Sequence, residues 1–290
     1  MTARAAASPD GLPSLGEVIR SLGHTARKSL GQNFILDLNL TRRIARAAGP
    51  LARTVLEIGP GPGGLTRALF LEGAERVVAV ERDERCRPAL EAIAQRYPGR
   101  LDVHYADALI ACWPALVPKG ARKPIVAANL PYNIATLLLI GWLESDPWPP
   151  WYLRLVLMFQ REVAQRIVAA PGSKAYGRLA VIAQWRTRPR LLFNLKPEAF
   201  TPTPSVASAL VELTPIDIPS PPCRVATLGA VTAAAFGQRR KMLRQSLRAL
   251  SSQPEALLAA AGIAPTLRAE ALSVADFARL AYVFERLPGR

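Results

Sequence analysis

Residues Thr54–Thr66 read TVLEIGPGPGGLT, an apolar run followed by a glycine-rich turn and the first residues of a second apolar segment. The first run predicts a buried strand, and the segment after the turn predicts a helix. Glycines between a strand and a helix let the backbone approach a ligand closely at the helix N-terminus. This stretch therefore predicts an α/β fold with a ligand site beside the turn.

The turn alone does not identify its ligand. Gly59, Gly61 and Gly64 also satisfy the dinucleotide fingerprint, so the pattern fits NAD as well as S-adenosylmethionine. Glu57, near the end of the strand, favours S-adenosylmethionine, because a carboxylate there would repel a pyrophosphate but can organise the approach of an amino-acid moiety. The sequence offers no His or Lys/Tyr arrangement suited to hydride transfer. An NAD-dependent oxidoreductase is therefore disfavoured.

Two further predicted strands end in acids. Arg76–Val80 is followed by Glu81, an acid placed to accept hydrogen bonds from ribose hydroxyls. Leu101–Ala106 alternates as a strand and is followed by Asp107, which is suited to accept a proton from an adenine amine. A simple loop cap is the alternative reading of Asp107. Glycines, Glu81 and Asp107 at successive strand ends favour a single ligand site.

A fourth apolar run, Pro124–Ala128, is followed by Asn129-Leu130-Pro131-Tyr132. An adenine amine is a poor nucleophile because its lone pair is delocalised into the ring. The Asn129 side-chain oxygen and the Leu130 carbonyl are two acceptors that would localise this lone pair and stabilise developing positive charge. Pro131 would stiffen the loop, and Tyr132 would offer a face for base stacking. The alternative is a strand that ends in an Asn-Pro turn with a core tyrosine.

A second aromatic candidate lies in Phe200-Thr201-Pro202-Thr203-Pro204, where two prolines make the connection stiff. Phe200 would then be a second stacking surface for a base, although a packing role fits the same pattern. The other elements predicted in the α/β domain are helices over Asp37–Ala48, Gln160–Val168 and Tyr176–Trp185, and strands over Tyr152–Phe159, Leu191–Leu195 and Ala207–Leu213. The apolar run of Tyr176–Trp185 also fits a strand.

The charge of the chain indicates a polyanionic partner. Lys and Arg number 37 against 22 Asp and Glu, a formal net charge of +15. Cations cluster in Gln238–Arg248, predicted as a helix that contacts phosphates, and a second pair precedes Gly31. A solvated cationic surface is the alternative. The candidate RNA-binding residues are Arg27, Lys28, Arg239, Arg240, Lys241, Arg244 and Arg248.

Other classes of protein fit poorly. The longest apolar stretch, 134–143, is too short to span a bilayer, and the N-terminal residues lack a secretory signal. The cysteines and histidines are dispersed, which favours a reducing compartment and disfavours a Cys/His metal site: Cys86, Cys112, Cys223, His24 and His104. We expect a cytoplasmic protein with no metal and no membrane partner.

Composition divides the chain into three parts. Residues 1–23 are rich in Ala, Ser, Gly and Pro and predict a flexible extension. Residues 24–214 carry the strands and motifs of the α/β domain. Prolines from Pro215 onward mark a linker, so we predict a small helical domain over 215–290 that contacts RNA.

Together these motifs resemble the KsgA-type (RsmA) small-subunit rRNA adenine dimethyltransferase family. The resemblance implies a Rossmann-like, seven-stranded S-adenosylmethionine-dependent methyltransferase sheet followed by a small C-terminal α-helical domain. Ile35 stands where the family usually has Leu, and the first twenty or so residues have no clear counterpart. The motifs that carry the resemblance are RKSLGQNF (27–34), LEIGPG (56–61), Glu81, Asp107-Ala108, NLPYNI (129–134), YGRL (176–179) and FTPTP (200–204).

The resemblance also implies function. It implies dimethylation of two adjacent adenosines near the 3′ end of 16S rRNA, with the target base swung out of its stack and held by Tyr132 and Phe200. A monomer that acts on the small ribosomal subunit is expected. The implied S-adenosylmethionine contacts are Asn33, Ile35, Gly59, Gly61, Glu81, Asp107 and Asn129.

Two other readings of the same motifs stay open. One is a large-subunit rRNA adenine methyltransferase of the macrolide-resistance type, which shares the Asn-Leu-Pro-Tyr loop. The other is a non-catalytic ribosome-assembly factor on the same fold. The intact acids and Asn129 loop disfavour the second.

Overall fold

A computed structural model describes residues 8–21, 23 and 31–287. Its centre is one seven-stranded sheet, as the resemblance implies, and the strand order is β3-β2-β1-β4-β5-β7-β6. The strands are β1 Thr54–Ile58, β2 Arg76–Glu81, β3 Leu101–Tyr105, β4 Ile125–Ala128, β5 Arg154–Gln160, β6 Thr187–Leu195 and β7 Ser208–Pro215.

The helices predicted over residues 37–48, 160–168 and 176–185 are confirmed to within two residues at each end. Short 3₁₀ turns lie at Glu84–Cys86, Pro197–Ala199, Leu247–Ala249 and Ala269–Ala271. The α-helices are α1 Leu15–Ser21, α2 Leu38–Ala47, α3 Gly64–Leu71, α4 Arg87–Arg96, α5 Trp113–Leu116, α6 Tyr132–Glu144, α7 Arg161–Ile167, α8 Arg178–Arg186, α9 Val225–Gly237, α10 Leu243–Ser246, α11 Pro254–Ala260 and α12 Val274–Phe284.

The sheet topology sets where a ligand can bind. β1 pairs in parallel with both β2 and β4. From β1 the chain first adds β2 and β3 on one side and then continues with β4 and β5 on the other, so the strand order reverses between β1 and β4. In open parallel sheets such a reversal leaves a crevice outside the carboxyl ends of the strands. All five residues of β1 are buried, as expected for a central parallel strand, and Glu57 is the one ionisable side chain in it.

The chain groups into two compact units. The first comprises the described residues of Met1–Leu138 with Trp151–Arg161 and Leu191–Glu212. The second comprises Leu139–Pro150, Glu162–Arg190 and the described residues of Leu213–Arg290. This division differs from the predicted boundary at residue 215.

The second unit has its own core, which explains the difference. Tyr176, Ala180 and Trp185 pack in one cluster with the buried residues of the tail helices. The rings of Tyr176 and Phe236 meet edge to face at 5.9 Å. The helical domain therefore includes α8, which precedes β6 in the chain, and a composition change at residue 215 does not reveal this.

The predicted helix over Gln238–Arg248 is wrong for its first half. α9 ends at Gly237, residues 238–242 form a turn, and α10 starts only at Leu243. The turn is favoured because Leu243 and Leu247 are then fully buried in the core of the second unit. β6 also differs, since it begins at Thr187 rather than Leu191.

The predicted flexibility of residues 1–23 is wrong for the part that the structure describes. Asp10 and Arg67 are 0% and 2% exposed at their side chains and form a bidentate ion pair. Leu15, the first residue of α1, is 3% exposed. Long-range burial of this kind leaves no periodic signal in a short segment rich in Gly and Pro.

Within the described ranges, no helix combines the length and the apolar character needed to cross a bilayer.

Removing one partner of the buried pair should strongly destabilise the fold. We expect Arg67→Met to lower the free energy of unfolding by about 3–5 kcal/mol, because it leaves the Asp10 carboxylate buried without a counter-charge. Glu84→Gln, which breaks the exposed pair with Arg87, should cost less than about 1 kcal/mol. Urea unfolding of the unaltered chain and the two variants measures the change in the free energy of unfolding. Equal small losses in both variants would contradict the buried pair.

Candidate active site

One cavity brings together nearly all of the residues that the sequence singles out for catalysis and cofactor binding. It lies at the carboxyl ends of β1, β2 and β4, within the first unit. Phe200 is not among its lining residues. The predicted residues that line it are Asn33, Ile35, Gly59, Gly61, Glu81, Asp107, Asn129, Leu130, Pro131 and Tyr132.

The glycine-rich turn packs against Phe34 and is hydrogen-bonded to Glu81. Gly61 has φ +54°, and a Cβ atom there would lie 2.9 Å from Cε1 of Phe34. A side chain at this position would therefore be strained and would collide with the ring. The Gly61 N–H donates to Oε2 of Glu81 at 2.8 Å, so the turn is tied to the end of β2.

Glu81 is buried but keeps acceptor capacity. Its Oε1 accepts from the backbone N–H of Asp83 at 2.7 Å, and its Oε2 accepts from Gly61. Burial raises the pKa of this carboxyl above its usual range, while the backbone hydrogen bonds oppose the rise. Each carboxylate oxygen can accept a second hydrogen bond. The side chain can therefore also accept from a pair of ribose hydroxyls.

Glu57 lies in β1, two residues before the first glycine of the turn, and is 1% exposed. Its Oε2 accepts a hydrogen bond from the Thr66 hydroxyl at 2.7 Å. Burial away from water raises the pKa of Glu57 to about 8, and the nearby Glu81 carboxyl adds to the effect. Glu57 is therefore mostly protonated in the ligand-free chain near neutral pH, and the positive charge of a bound ammonium group would favour its ionised form.

Asp107 is already paired at the far end of the cavity. Its Oδ1 accepts from the Leu109 N–H at 2.9 Å, and its Oδ2 lies 3.1 Å from Nη1 of Arg82. The Arg82 side chain is 66% exposed, so this ion pair is weak and can exchange for another donor such as an adenine amine. Arg82 also lines the cavity, and the sequence reading missed it although it directly follows Glu81.

This set of groups fits S-adenosylmethionine. The cavity offers a buried acid for an ammonium group, a second acid for a ribose and a third for an adenine amine. It also offers a turn whose backbone approaches closely. Among the described residues, no group of three or more His, Cys, Asp and Glu side chains is arranged to hold a metal ion.

The orientation of the Asn129 amide is set by another segment. Its Nδ2 donates to the backbone carbonyl of Asn33 at 3.0 Å. Only the NH2 group can face a carbonyl oxygen, so Oδ1 must lie on the opposite side of the amide as an acceptor. Asn33 in turn donates from its own Nδ2 to the Gly31 carbonyl at 3.2 Å. The hydrogen bond to Asn33, which the sequence did not reveal, therefore orients Oδ1 of Asn129 as the predicted acceptor role requires, and that role stays a prediction.

Tyr132 is held in place through its hydroxyl. The hydroxyl shares a hydrogen bond with Oγ of Ser208, the first residue of β7, which is fully buried. Burial raises the pKa of the Tyr132 phenol, so the ring stays neutral and keeps its hydrogen-bond donor. Ser208 was missed because it is 76 residues away in the chain and carries no motif.

The structure contradicts the prediction that Phe200 offers a stacking surface. Its side chain is 2% exposed and belongs to the core cluster that contains Ile35 and Leu65. The alternative packing role fits, since burying an aromatic ring is strongly favourable. Its neighbour Thr201 does reach the site region, because it forms a two-hydrogen-bond antiparallel bridge with Phe34, each bond 2.8 Å long.

The candidate RNA-binding cations differ in their surroundings. Arg239 donates to the Lys174 carbonyl at 2.8 Å and to Glu270, so it also stabilises the second unit. Arg244 is 4.0 Å from Glu255. Arg240, Lys241 and Arg248 are exposed. Arg27 and Lys28 lie outside the described residues.

Sequence comparisons identify close relatives. The family model for ribosomal RNA adenine dimethylase matches residues 23–286. The chain is 60% identical over 279 residues to the ribosomal RNA small subunit methyltransferase A of Xanthobacter autotrophicus, covering 96% of both chains. It is 62% identical over 273 residues to the protein of the same name from Rhodopseudomonas palustris strain HaA2, covering 94% of both.

Solved structures show the same fold. A dimethyladenosine transferase from Plasmodium falciparum superposes with a TM-score of 0.71 at 23% identity, over 86% of this chain and 96% of that one. The 23S rRNA methyltransferase ErmE superposes with a TM-score of 0.63 at 24% identity, over 88% of this chain and all of that one. At these identities the likeness concerns the fold alone.

A side chain at Gly31 should be destabilising, because the residue has positive φ and lies close to Pro131. A Cβ there would lie 2.8 Å from Oδ1 of Asn133 and 3.3 Å from Cβ of Pro131. We expect Gly31→Ala to lose about 1–2 kcal/mol from its positive φ and about 1–3 kcal/mol more from overpacking.

Gly120→Ala is the matched control for this substitution. Gly120 also has positive φ, but nothing lies within 4 Å of the added Cβ. The control should therefore show only the loss due to φ. Equal losses of unfolding free energy in both variants would contradict the packing of Gly31 on the Pro131 loop.

Glu57 should make stability fall as pH rises. Between pH 4.5 and about 8 the folded chain keeps the Glu57 proton that the unfolded chain releases. Stability therefore declines by up to about 1.4 kcal/mol per pH unit from this group. Glu57→Gln cannot titrate and should decline less steeply. Urea unfolding at pH 5.5, 6.5, 7.5 and 8.5 compares the two, and parallel curves would refute a raised pKa.

Proposed function

Because the chain belongs to the ribosomal RNA adenine dimethylase family, we propose that it dimethylates the exocyclic amines of two adjacent adenosines near the 3′ end of 16S rRNA. The relatives that match over nearly the whole chain are named as small-subunit enzymes, which favours this substrate over large-subunit RNA. The proposed methyl donor is S-adenosylmethionine.

The single observation that carries the proposal is the tethered Asn129 amide. Because Nδ2 donates to the Asn33 carbonyl, Oδ1 is fixed as an acceptor before any substrate arrives. Oδ1 of Asn129 and the Leu130 carbonyl oxygen would each accept a hydrogen bond from one of the two N–H groups of an adenine amine. Two such acceptors draw the nitrogen lone pair out of the ring and stabilise the positive charge that develops on the nitrogen.

The other groups of the loop position the base. Pro131 limits the freedom of the loop, and the Tyr132 ring, anchored at Ser208, offers one stacking face. No general base is required of the chain, because the amine becomes acidic as it is alkylated and loses its proton to water. The amine has two hydrogens before the reaction, one after the first transfer and none after the second. The hold of Asn129 and Leu130 therefore weakens as methylation proceeds, which favours product release.

The residues around the glycine turn would hold the methyl donor. When bound, S-adenosylmethionine supplies an activated methyl group on a sulfonium centre. Glu57 would receive its ammonium group and Glu81 its ribose hydroxyls. Asp107 would accept the adenine amine once Arg82 is displaced, and Asn33 and Ile35 would close the remaining wall.

The partner and setting follow from the substrate. The net charge of +15 and the exposed cations of residues 239–248 favour contact with RNA phosphates. We propose that the chain acts as a monomer on the small ribosomal subunit in the cytoplasm, with a role in subunit biogenesis.

Methyl transfer to small subunits that lack the modification tests the proposal directly. Labelled S-adenosylmethionine should label two neighbouring adenosines near the 3′ end of 16S rRNA, mapped by mass spectrometry. We expect Asn129→Ala to lose at least about a hundredfold in rate, because it removes one preorganised acceptor, while it still folds. Asn194→Ala, an exposed asparagine outside the cavity, is the control and should keep full activity.

Different failures have different meanings. Label in large-subunit RNA instead would assign the enzyme to the macrolide-resistance type. Cofactor binding without label in either RNA would favour an assembly factor. Near-normal turnover by Asn129→Ala would remove Asn129 from the mechanism.

The tail cations should govern the salt dependence of RNA binding. We expect the triple variant Arg240→Gln, Lys241→Gln and Arg248→Gln to reduce the slope of log affinity against log salt by about two to three, one for each lost phosphate contact. The control removes the same charge from three other exposed arginines, Arg87, Arg122 and Arg166. Equal slopes for the two triple variants would indicate a charge effect without local contact.

A further inference from the structure

The N-terminal segment is fastened to one arginine of the methyltransferase sheet domain. All three guanidinium nitrogens of Arg67 are used: Nε and Nη2 bind the Asp10 carboxylate at 2.6 and 2.7 Å, and Nη1 donates to the Pro13 carbonyl at 2.7 Å. Arg96 adds a hydrogen bond from Nε to the Asp10 carbonyl at 2.7 Å. These hydrogen bonds from two arginines tie Asp10 and Pro13 to the first unit.

The helix that carries Arg67 begins at the cavity. Gly64, the first residue of α3, lines the cavity directly after the glycine turn. A Cβ atom on Gly64 would lie 3.0 Å from Cδ1 of Leu15 and 3.1 Å from the Ile35 carbonyl oxygen. Leu15 therefore fills the space where a side chain at position 64 would lie. The turn is supported from outside by a residue that does not itself line the cavity.

Such support matters because glycine-rich backbone is costly to order. Glycine loses more conformational freedom than any other residue when it is fixed. If the ligand has to order the turn on binding, the entropy cost of that ordering weakens its affinity. If the turn is already ordered in the ligand-free chain, the affinity is not reduced in this way. Leu15 packs on Gly64, where the turn ends and α3 begins, and Arg67 fixes the segment that precedes Leu15 in the chain.

We propose that residues 10–15 form an N-terminal clip that preorganises the glycine-rich turn for its cofactor, with Leu15 as the positioning residue and Arg67 as its anchor. The inference rests on the proposed function, since the ligand of the turn is taken to be S-adenosylmethionine. It assigns to this segment a role in cofactor affinity. The family match, over residues 23–286, starts beyond the clip.

The test uses Leu15→Ala and the milder Leu15→Val in the full chain. Leu51→Ala is the matched control, because Leu15 and Leu51 are both 3% exposed and Leu51 belongs to the core cluster without lining the cavity. The first readout is the dissociation constant of S-adenosylmethionine and of S-adenosylhomocysteine by calorimetry. The second is amide hydrogen exchange of residues 59–66 in the ligand-free chain, which does not depend on the cofactor.

We expect Leu15→Ala to weaken binding of both ligands by about tenfold and Leu15→Val by a smaller factor, because the turn must then be ordered by the ligand. Exchange over residues 59–66 should become faster in the same order. Leu51→Ala should reduce thermal stability without either change. If Leu15→Ala does not fold, Leu15→Val carries the comparison.

Three outcomes are distinct. Unchanged exchange and affinity in the Leu15 variants would overturn the clip, as would equal changes in Leu51→Ala. Faster exchange with weaker binding in the Leu15 variants alone would support it. If the unaltered chain binds neither ligand, the cofactor assignment fails, and the exchange data still decide whether the clip orders the turn.

Discussion

The hydrogen bond from Asn129 to the Asn33 carbonyl is the interaction on which the site depends most. It belongs to a short segment, 31–35, that touches three other parts of the first unit. Asn33 orients Asn129, the Phe34 ring packs against Gly61, and the Phe34 backbone bridges to Thr201. The glycine-rich turn proposed to bind the cofactor and the Asn129 loop proposed to bind the target base are therefore held by one piece of chain. A shift in that piece would disturb both.

Sequence reasoning succeeded wherever a local pattern was sufficient. Apolar runs marked the strands, and parallel strands bring their carboxyl ends to one edge, so Gly59, Glu81, Asp107 and Asn129 were expected to meet and do meet. The family resemblance is confirmed by a match over residues 23–286. Where a residue's environment is set by a distant partner, the same reasoning failed.

Three residues show why partners that are distant in sequence escape such reasoning. Ser208 holds Tyr132 from another strand, Asp10 is buried because Arg67 lies 57 residues later, and Phe200 turns into the core instead of the cavity. Each outcome depends on which surfaces meet in the folded chain, and none has a periodic or motif signal. The turn at 238–242 is similar, since burial of Leu243 and Leu247 outweighs the helical character of a charged stretch.

The role proposed for Asn129 depends on its amide remaining intact. Hydrolysis of that amide would replace its NH2 group with a carboxylate oxygen of nearly the same shape. Two acceptors would then face each other where Nδ2 now donates to the Asn33 carbonyl, and no donor would remain to hold the side chain. The fold would have little reason to change, because the loop is otherwise intact. A long-lived molecule altered in this way would stay folded but would lack the hydrogen-bond donor that orients the side chain proposed to prepare the amine.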